Sequence, residues 1–588
     1  MPLRFAVMAA QAIEVFLAAV LGLLIGAGAP VALAQCPVTS DAATYPTPPL
    51  NYPMTSNRYA VQYKAGGGHW TNAQVYISYY GGTNASPLLS FSGYSLETSM
   101  SFVSIPAAPK TKVKLRVTKL FGTPFNASDQ VSVRPGVKEI AVDNQGDGTL
   151  QIIRKTSSDF AGEQFVLWWN RGAEGGGIEG LAFFLNPPYE RPAGSNVKTI
   201  GSPTDLNGDL SHFDTLDFEG TVAIGSTGTQ AFTVPGNINN IFLGPGAWVQ
   251  GKLRFEAAGA GQTRKIYGPG VLDVSRFRYD LRVCDAASKF PDEGLQALGA
   301  GGTPSLVDPS TLDRFIIDGI VITDHNHAAT QLMVNSTVNN MKTIGWNGVN
   351  GGLRLGNNTT VANTFVRSGD DSLMMWGSPV KITNATVWQN YNGGVVNLGW
   401  FDNSKGDNCV VDGLYVVKTD WHSPADPSFT ITTLGNQNNA VIDSLMVPGT
   451  RFGSSQRPLL RNIYVEDSPQ VLFSLKILPP DCDLIGLAGT CPKSVDLTLP
   501  SLLNLDVENL FTPESVVANS IGFQSLPPGY SQNGQSFPSG YTLTGSMNIS
   551  LTNVMIRLAD GTTAPLTSAN AAAVGKIVTN GDHVNITY

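Results

Sequence analysis

The runs Asn340-Met-Lys-Thr-Ile344, Asn363-Thr-Phe-Val366 and Asn384-Ala-Thr-Val-Trp388 each open on asparagine and continue into a short β-forming stretch. Gly319-Ile-Val-Ile322 precedes them, and Gly413-Leu-Tyr-Val-Val417 and Asn462-Ile-Tyr-Val465 follow. The first five runs are separated by 21, 23, 21 and 29 residues; the next gap, of 49, reads as about two periods. A period in the low twenties that carries strands and no helical periodicity is the mark of a solenoid. The Leu-x-x-Leu-x-Leu pattern of leucine-rich repeats is absent. A right-handed parallel β-helix is therefore expected, in which each coil hydrogen-bonds to the next and inward side chains stack into one core.

Upstream of the repeat the period is two. Val113-Lys-Leu-Arg-Val-Thr-Lys-Leu120 alternates strictly, which puts apolar residues on one face of a strand. Val75–Tyr79, Ser101–Ile105 and Phe165–Trp168 read as further strands between Gly, Pro and Asn clusters, the pattern of a β-sandwich. The Gly/Ser/Pro-rich stretch from Pro192 to Pro203 reads as a linker. The expected organisation is all-β: a leader over 1–34, an N-terminal β-sandwich domain over 35–200 and a parallel β-helix over 201–588.

The leader is read from Arg4, the apolar run Val15–Leu33 and the small-x-small Ala32-Leu33-Ala34 before Gln35, the form of a secretory signal peptide. An uncleaved membrane anchor is the rival reading, and no later stretch is apolar enough to span a bilayer. Eight N-glycosylation sequons, from Asn84 to Asn585, agree with a secreted, extracellular glycoprotein. Of the five cysteines, Cys482 and Cys491 are close enough for a local disulfide, and an odd number leaves one thiol unpaired. His325 and His327 alternate on a strand with no third ligand nearby, so a structural or sugar-contacting role is favoured over metal. Only 14% of the 588 residues are charged and the net charge is −8, which disfavours nucleic acid or an anionic membrane as partner. The chain is expected to act as a monomer.

The most chemical segment is Val366-Arg-Ser-Gly-Asp-Asp-Ser-Leu-Met-Met-Trp376. On a regular strand, Asp370 and Asp371 would point to opposite faces. At the bend of a coil both can face outward, and two acids held close push one pKa up, as general acid/base work at a glycosidic bond requires. Five of the nine Trp residues lie between Trp346 and Trp421; sugar stacking is one use for them, and core filling is the commoner one.

Leu353 onward, through Gly-Asp-Asp-Ser-Leu-Met-Met to Val-Asn-Leu-Gly-Trp400, resembles the catalytic coils of glycoside hydrolase family 49, the dextranases and isopullulanase. Ile241–Gly251, Tyr267–Leu272, Pro291–Gly294 and Ser568–Lys576 resemble the family as well, so the likeness covers most of the chain after about residue 200. It implies internal hydrolysis of a neutral α-glucan with inversion, and neither metal nor organic cofactor. It makes Asp370 the general acid and Asp371 a water-activating base. The family's third aspartate falls on Gly351, a degenerate position 20 residues before Asp371, and so about one coil, or roughly 4.8 Å, away. Met374 and Asn397 stand where isopullulanase has Lys and Glu. By position, Asn350, Arg354, Trp376, Asn397, Trp400 and Asp402 would line the substrate cleft. The rival implied by Gly351 is a weakened or inactive member that binds polysaccharide. A polygalacturonase-like pectinase shares the acid pair, but its Gly-His-Gly and Arg-Ile-Lys motifs are absent.

Overall fold

The computed structural model describes residues 55–79, 99–170, 179–224, 232–256, 262–274, 295–297, 314–325, 328–330, 332–345, 351–391, 393–400, 405–421, 440–466, 471–477, 498–512, 519–523, 531–532, 535–536, 543–558 and 560–588. The leader, Asn350, Asp402, Cys482 and Cys491 lie outside these residues. Cys409, the one cysteine among them, is a buried free thiol.

Two five-stranded sheets come first. One runs Thr71–Ala73, Tyr59–Ala65, Lys112–Lys119, Thr149–Lys155, Ala141–Asn144; the other Val75–Tyr79, Ser99–Pro106, Glu179–Asn186, Glu163–Asn170, Gln130–Arg134. Their facing sides share one core, with Val113, Leu115, Val117 and Ile152 against Ile105, Phe165, Leu167, Phe183 and Leu185. The first sheet has a solvent side, so Lys112–Lys119 buries every second residue, as its alternation predicts. The second sheet has none. Its outer side, with Met100, Phe102, Val166, Ala182 and Phe184, packs on Trp248, Val271, Val321, Ile344, Phe365, Trp388 and Val417 of the repeat. Burial on both faces explains why Leu181-Ala-Phe-Phe-Leu185 is apolar without alternation.

The repeat is a parallel β-helix. Parallel pairings run from Val197–Ile200 to Val584–Thr587, and the inward side chains form one continuous core from Ile200 to Leu566. Val197–Ile200 pairs in parallel with Thr215–Phe218. The first rung thus begins inside the stretch read as a linker, because Ile200 is fully buried and Val-Lys-Thr-Ile is a strand-forming run.

The residues that open the repeats form the corner of each coil. Gly319, Asn340, Asn363, Asn384, Gly413 and Asn462 all have positive φ, between 51° and 88°, and so do Asn509 and Asn553 further on. Asparagine tolerates this left-handed conformation better than other residues with a Cβ. Its side chain then finds a partner one rung away: Asn363 Nδ2 donates to Asn339 Oδ1 at 3.0 Å, Asn384 to Asn363 at 2.6 Å, Asn509 to Asn462 at 3.1 Å and Asn553 to Asn509 at 2.8 Å. The 49-residue gap is one coil and not two, since Val411 pairs directly with Leu460 and the excess length is an insertion between them.

Candidate active site

Seven short strands form one face of the helix, in the order Leu353–Leu355, Leu373–Met375, Val396–Trp400, Ile442–Met446, Phe473–Ile477, Asn519–Phe523, Ile577–Asn580. Leu353, Leu373, Val396, Ile442 and Phe473 point into the core. Between them, Arg354, Met374, Asn397, Asp443 and Ser474 stand in register on the opposite side. The acid pair lies in the bend that enters this face, between Thr359–Ser368 and Leu373–Met375.

Leu353 pairs with Leu373, so position 351 does lie one rung before Asp371, and Gly352 N donates to Asp371 O at 2.8 Å. Gly393 and Gly394 occupy the same bend one rung later, where Ser372 N donates to Gly394 O at 2.9 Å. The acids are therefore stacked between two glycine pairs. A Cβ on Gly393 would collide with Asp371 N, and one on Gly394 with Asp443 Oδ1. A Cβ on Gly351 would meet Met374 Cε at 2.9 Å, so the methionine fills the space that a longer side chain at 351 would take.

The bend is held from below by polar contacts. Ser368 Oγ donates to Asp370 O at 2.8 Å, Gln389 Nε2 donates to the same oxygen at 2.9 Å, and the Ser368 and Ser372 hydroxyls are 2.6 Å apart. Asp371 N donates to Asp370 Oδ1 at 2.9 Å, and Gly394 N donates to Asp371 Oδ1 at 2.7 Å. The two acids are not equivalent. Asp370 is partly exposed, whereas Asp371 is 6% exposed, which corrects the expectation that both face outward. The amide of Gly394 draws the second carboxylate under the bend.

Burial pushes the Asp370 carboxyl up to about 6, against the opposing hydrogen bond from Asp371 N and the Arg354 charge. Asp371 is raised well above the usual carboxylate range by burial, then by Asp443 and by Asp370. Asp443, 1% exposed, is raised by burial and by Asp370, and held back by Asn397 and Lys476. Burial lowers Lys476 to about 8, with Asp443 opposing. Three of the predicted lining residues join this network. Trp376 Nε1 donates to Asn397 Oδ1 at 3.0 Å, and the Arg354 guanidinium lies 5.4 Å from the Trp376 ring centre. Asn397 is fully buried, so it orders the site from beneath and does not line an open cleft. Trp400 ends its strand. Trp388 is the core filler that the commoner reading of tryptophan expects, packed at 6.3 Å on Trp168 of the sandwich.

Asp443, Lys476, Gln389 and Gly394 escaped the sequence reading. A second Gly-Gly one coil after the first was the legible signal for Gly394. Asp443 was hidden by its separation of 46 positions from its register partner Asn397. His325 is buried, and no group of three metal-ligating side chains occurs among the described residues.

No protein-family model matches the chain. A dextranase of Arthrobacter globiformis is 27% identical over 187 residues, which is 31% of this chain and 29% of that protein. A dextranase of Talaromyces minioluteus is 23% identical over 78% of this chain and 74% of its own length. An isopullulanase of Aspergillus niger is 22% identical over 60% of this chain and 57% of its own. The chain thus spans less than a third of the Arthrobacter enzyme and about three quarters of the Talaromyces one. The solved structure of Dex49A from Penicillium minioluteum superposes with a TM-score of 0.57, over 91% of this chain and 94% of that one, at 16% identity, and so shares the fold. Repeat, fold and relatives together make the chain similar to the dextranases and isopullulanase, the enzymes of glycoside hydrolase family 49.

Proposed function

We propose that the chain is a secreted, extracellular hydrolase that cuts a neutral α-glucan internally with inversion of configuration. Asp370 acts as the general acid: partly exposed and raised to about 6, it holds its proton in mildly acid solution and gives it to the leaving oxygen. Asp371 acts as the base; its carboxylate, oriented by the Gly394 amide, takes a proton from the attacking water. The observation that carries the reading is the pairing of a partly exposed and a buried carboxylate on one bend, the exposed one free to meet the leaving oxygen and the buried one fixed by a backbone amide. The relatives named dextranase and isopullulanase supply the substrate class, and the apolar N-terminal run supports secretion. The test is hydrolysis of dextran and pullulan by Asp370→Asn. A fall of about 100-fold or more is expected, the scale of general acid catalysis, and unchanged turnover sinks the assignment.

A second reading, a glucan-binding member with weakened catalysis, draws on two observations: Gly351 brings no carboxylate, and Asp371 is 6% exposed. Gly351→Asp separates the two. The Met374 Cε that it would meet is the end of a flexible side chain and can turn aside. A rise in turnover supports a site limited by the missing acid; no rise on a folded variant removes Gly351 as the limiting defect.

A further inference from the structure

We propose that Asp443 is the second buried carboxylate of this site, a positioning residue that holds one proton in common with Asp371 and stands in for the side chain absent at Gly351. The inference rests on the hydrolase reading above.

Asp443 belongs to the second rung beyond the acid pair, about 9–10 Å along the axis at ordinary strand spacing, whereas position 351 lies one rung on the other side. Its side chain nevertheless reaches back to the pair. Asp371 Oδ1 accepts from Gly394 N, and a Cβ on Gly394 would strike Asp443 Oδ1, so the two carboxylates converge on one residue that puts no side chain between them. The third contact fixes Asp443 from behind. An indole N–H can only donate, so Trp376 Nε1 must meet the oxygen of the Asn397 amide. That turns Asn397 Nδ2 toward Asp443, where it lies 3.2 Å from each carboxylate oxygen. Glycine at 394 and the asparagine at 397 thereby perform one task, the close placement of a second acid beside the base.

Among the described residues, three elements bring charge to the pair. Lys476 approaches from Phe473–Ile477, Arg354 from Leu353–Leu355, and Asp370 from the bend itself. Two buried acids that converge on Gly394 disfavour each other's charge, and they titrate as a unit. Asp443 therefore sets the pH at which Asp371 becomes a carboxylate.

The experiment is the pH profile of kcat/KM for the full chain, Asp443→Asn and Lys476→Met on whichever glucan the wild type hydrolyses. Without the neighbouring acid, Asp371 ionises more readily. The acid limb of Asp443→Asn should move down by about one pH unit or more, with kcat reduced about ten-fold or more and KM little changed. Lys476→Met removes the cation that favours the anion, so its limb should move up; it carries the test if Asp443→Asn does not fold. A limb that stays in place in a folded Asp443→Asn overturns the proposal, since a merely structural carboxylate alters the melting temperature and not the profile. If the wild type hydrolyses no glucan, the hydrolase reading fails by itself. The proton sharing is then read by infrared titration of the carboxyl bands. Asp443→Asn should remove one band and displace a second, and loss of one band alone overturns the pairing.

Discussion

Gly394 makes the clearest demand on a single side chain. Its amide binds Asp371 and its missing Cβ admits Asp443, so Gly394→Ala puts a methyl group where a buried carboxylate now sits. Overpacking of this kind costs about 1–3 kcal/mol; the melting temperature should fall accordingly, and turnover of dextran or pullulan should fall with it. The acids also make stability depend on pH. Asp370, Asp371 and Asp443 all have folded pKa values above that of a free aspartate, so the native state binds protons more tightly than the unfolded chain. Their contribution is fully present below the unfolded value of about 4. It is lost as pH rises through the folded values, beginning near 6 for Asp370. Thermal melts should therefore show Asp443→Asn gaining stability relative to wild type between pH 4 and pH 7; an equal difference at both ends contradicts the linkage. At this scale the sequence was half legible. Asp370, Asp371 and the bareness of Gly351 could be read because they lie within about one repeat of each other. The burial of Asp371 and the role of Asp443 could not, because both depend on how far a side chain leans across rungs, which no spacing encodes.

The repeat was readable at the scale of elements because each coil must turn a corner that few residues tolerate. Asparagine or glycine marks that corner at 340, 363, 384, 413, 462, 509 and 553, and the strand that follows is apolar because it faces a core shared with its neighbours. Insertions blurred the period. The coil from Gly413 to Asn462 is lengthened without disturbing the register of Val411 on Leu460, so spacing alone doubled its count. The same corner yields a graded prediction. Asn363, at φ 53°, donates to Asn339 and accepts from Asn384. Asn363→Ala keeps the strained backbone and breaks both bonds, which should destabilise the fold by about 2–3 kcal/mol. Asn363→Gly breaks the same bonds but relieves the backbone, and should destabilise by about 1 kcal/mol less in denaturant melts. If alanine and glycine prove equal, the left-handed corner is not what selects asparagine.

Across the whole molecule the sandwich and the helix are joined as layers. Phe102, Phe184 and Tyr76 insert against Trp248, Phe365 and Trp388, with ring centres 5.4 Å apart for Phe184–Phe365 and 5.1 Å for Tyr76–Trp248. Around this patch, Gln164 Nε2 donates to Asn340 Oδ1 at 2.8 Å, Arg134 stacks 3.6 Å from the Trp168 ring and bonds Val417 O, and Ser78 Oγ donates to Asp324 at 2.9 Å. Asn340 is a corner of the repeat, so the docking surface and the coil geometry share a residue. The sandwich is thus a wall on one side of the helix, not a tethered module. The sequence reading took this region as period two throughout and missed the second face, although Phe165–Trp168 and Leu181–Leu185 bury both of theirs. One cooperative unfolding transition should follow by calorimetry, with circular dichroism and intrinsic fluorescence coincident. Phe184→Asp buries an unpaired charge in the joint. It should lower the first melting event by several degrees and split the transition in two, the helix melting apart from the sandwich. A single, unshifted transition in that variant would mean that the layers are stable without each other.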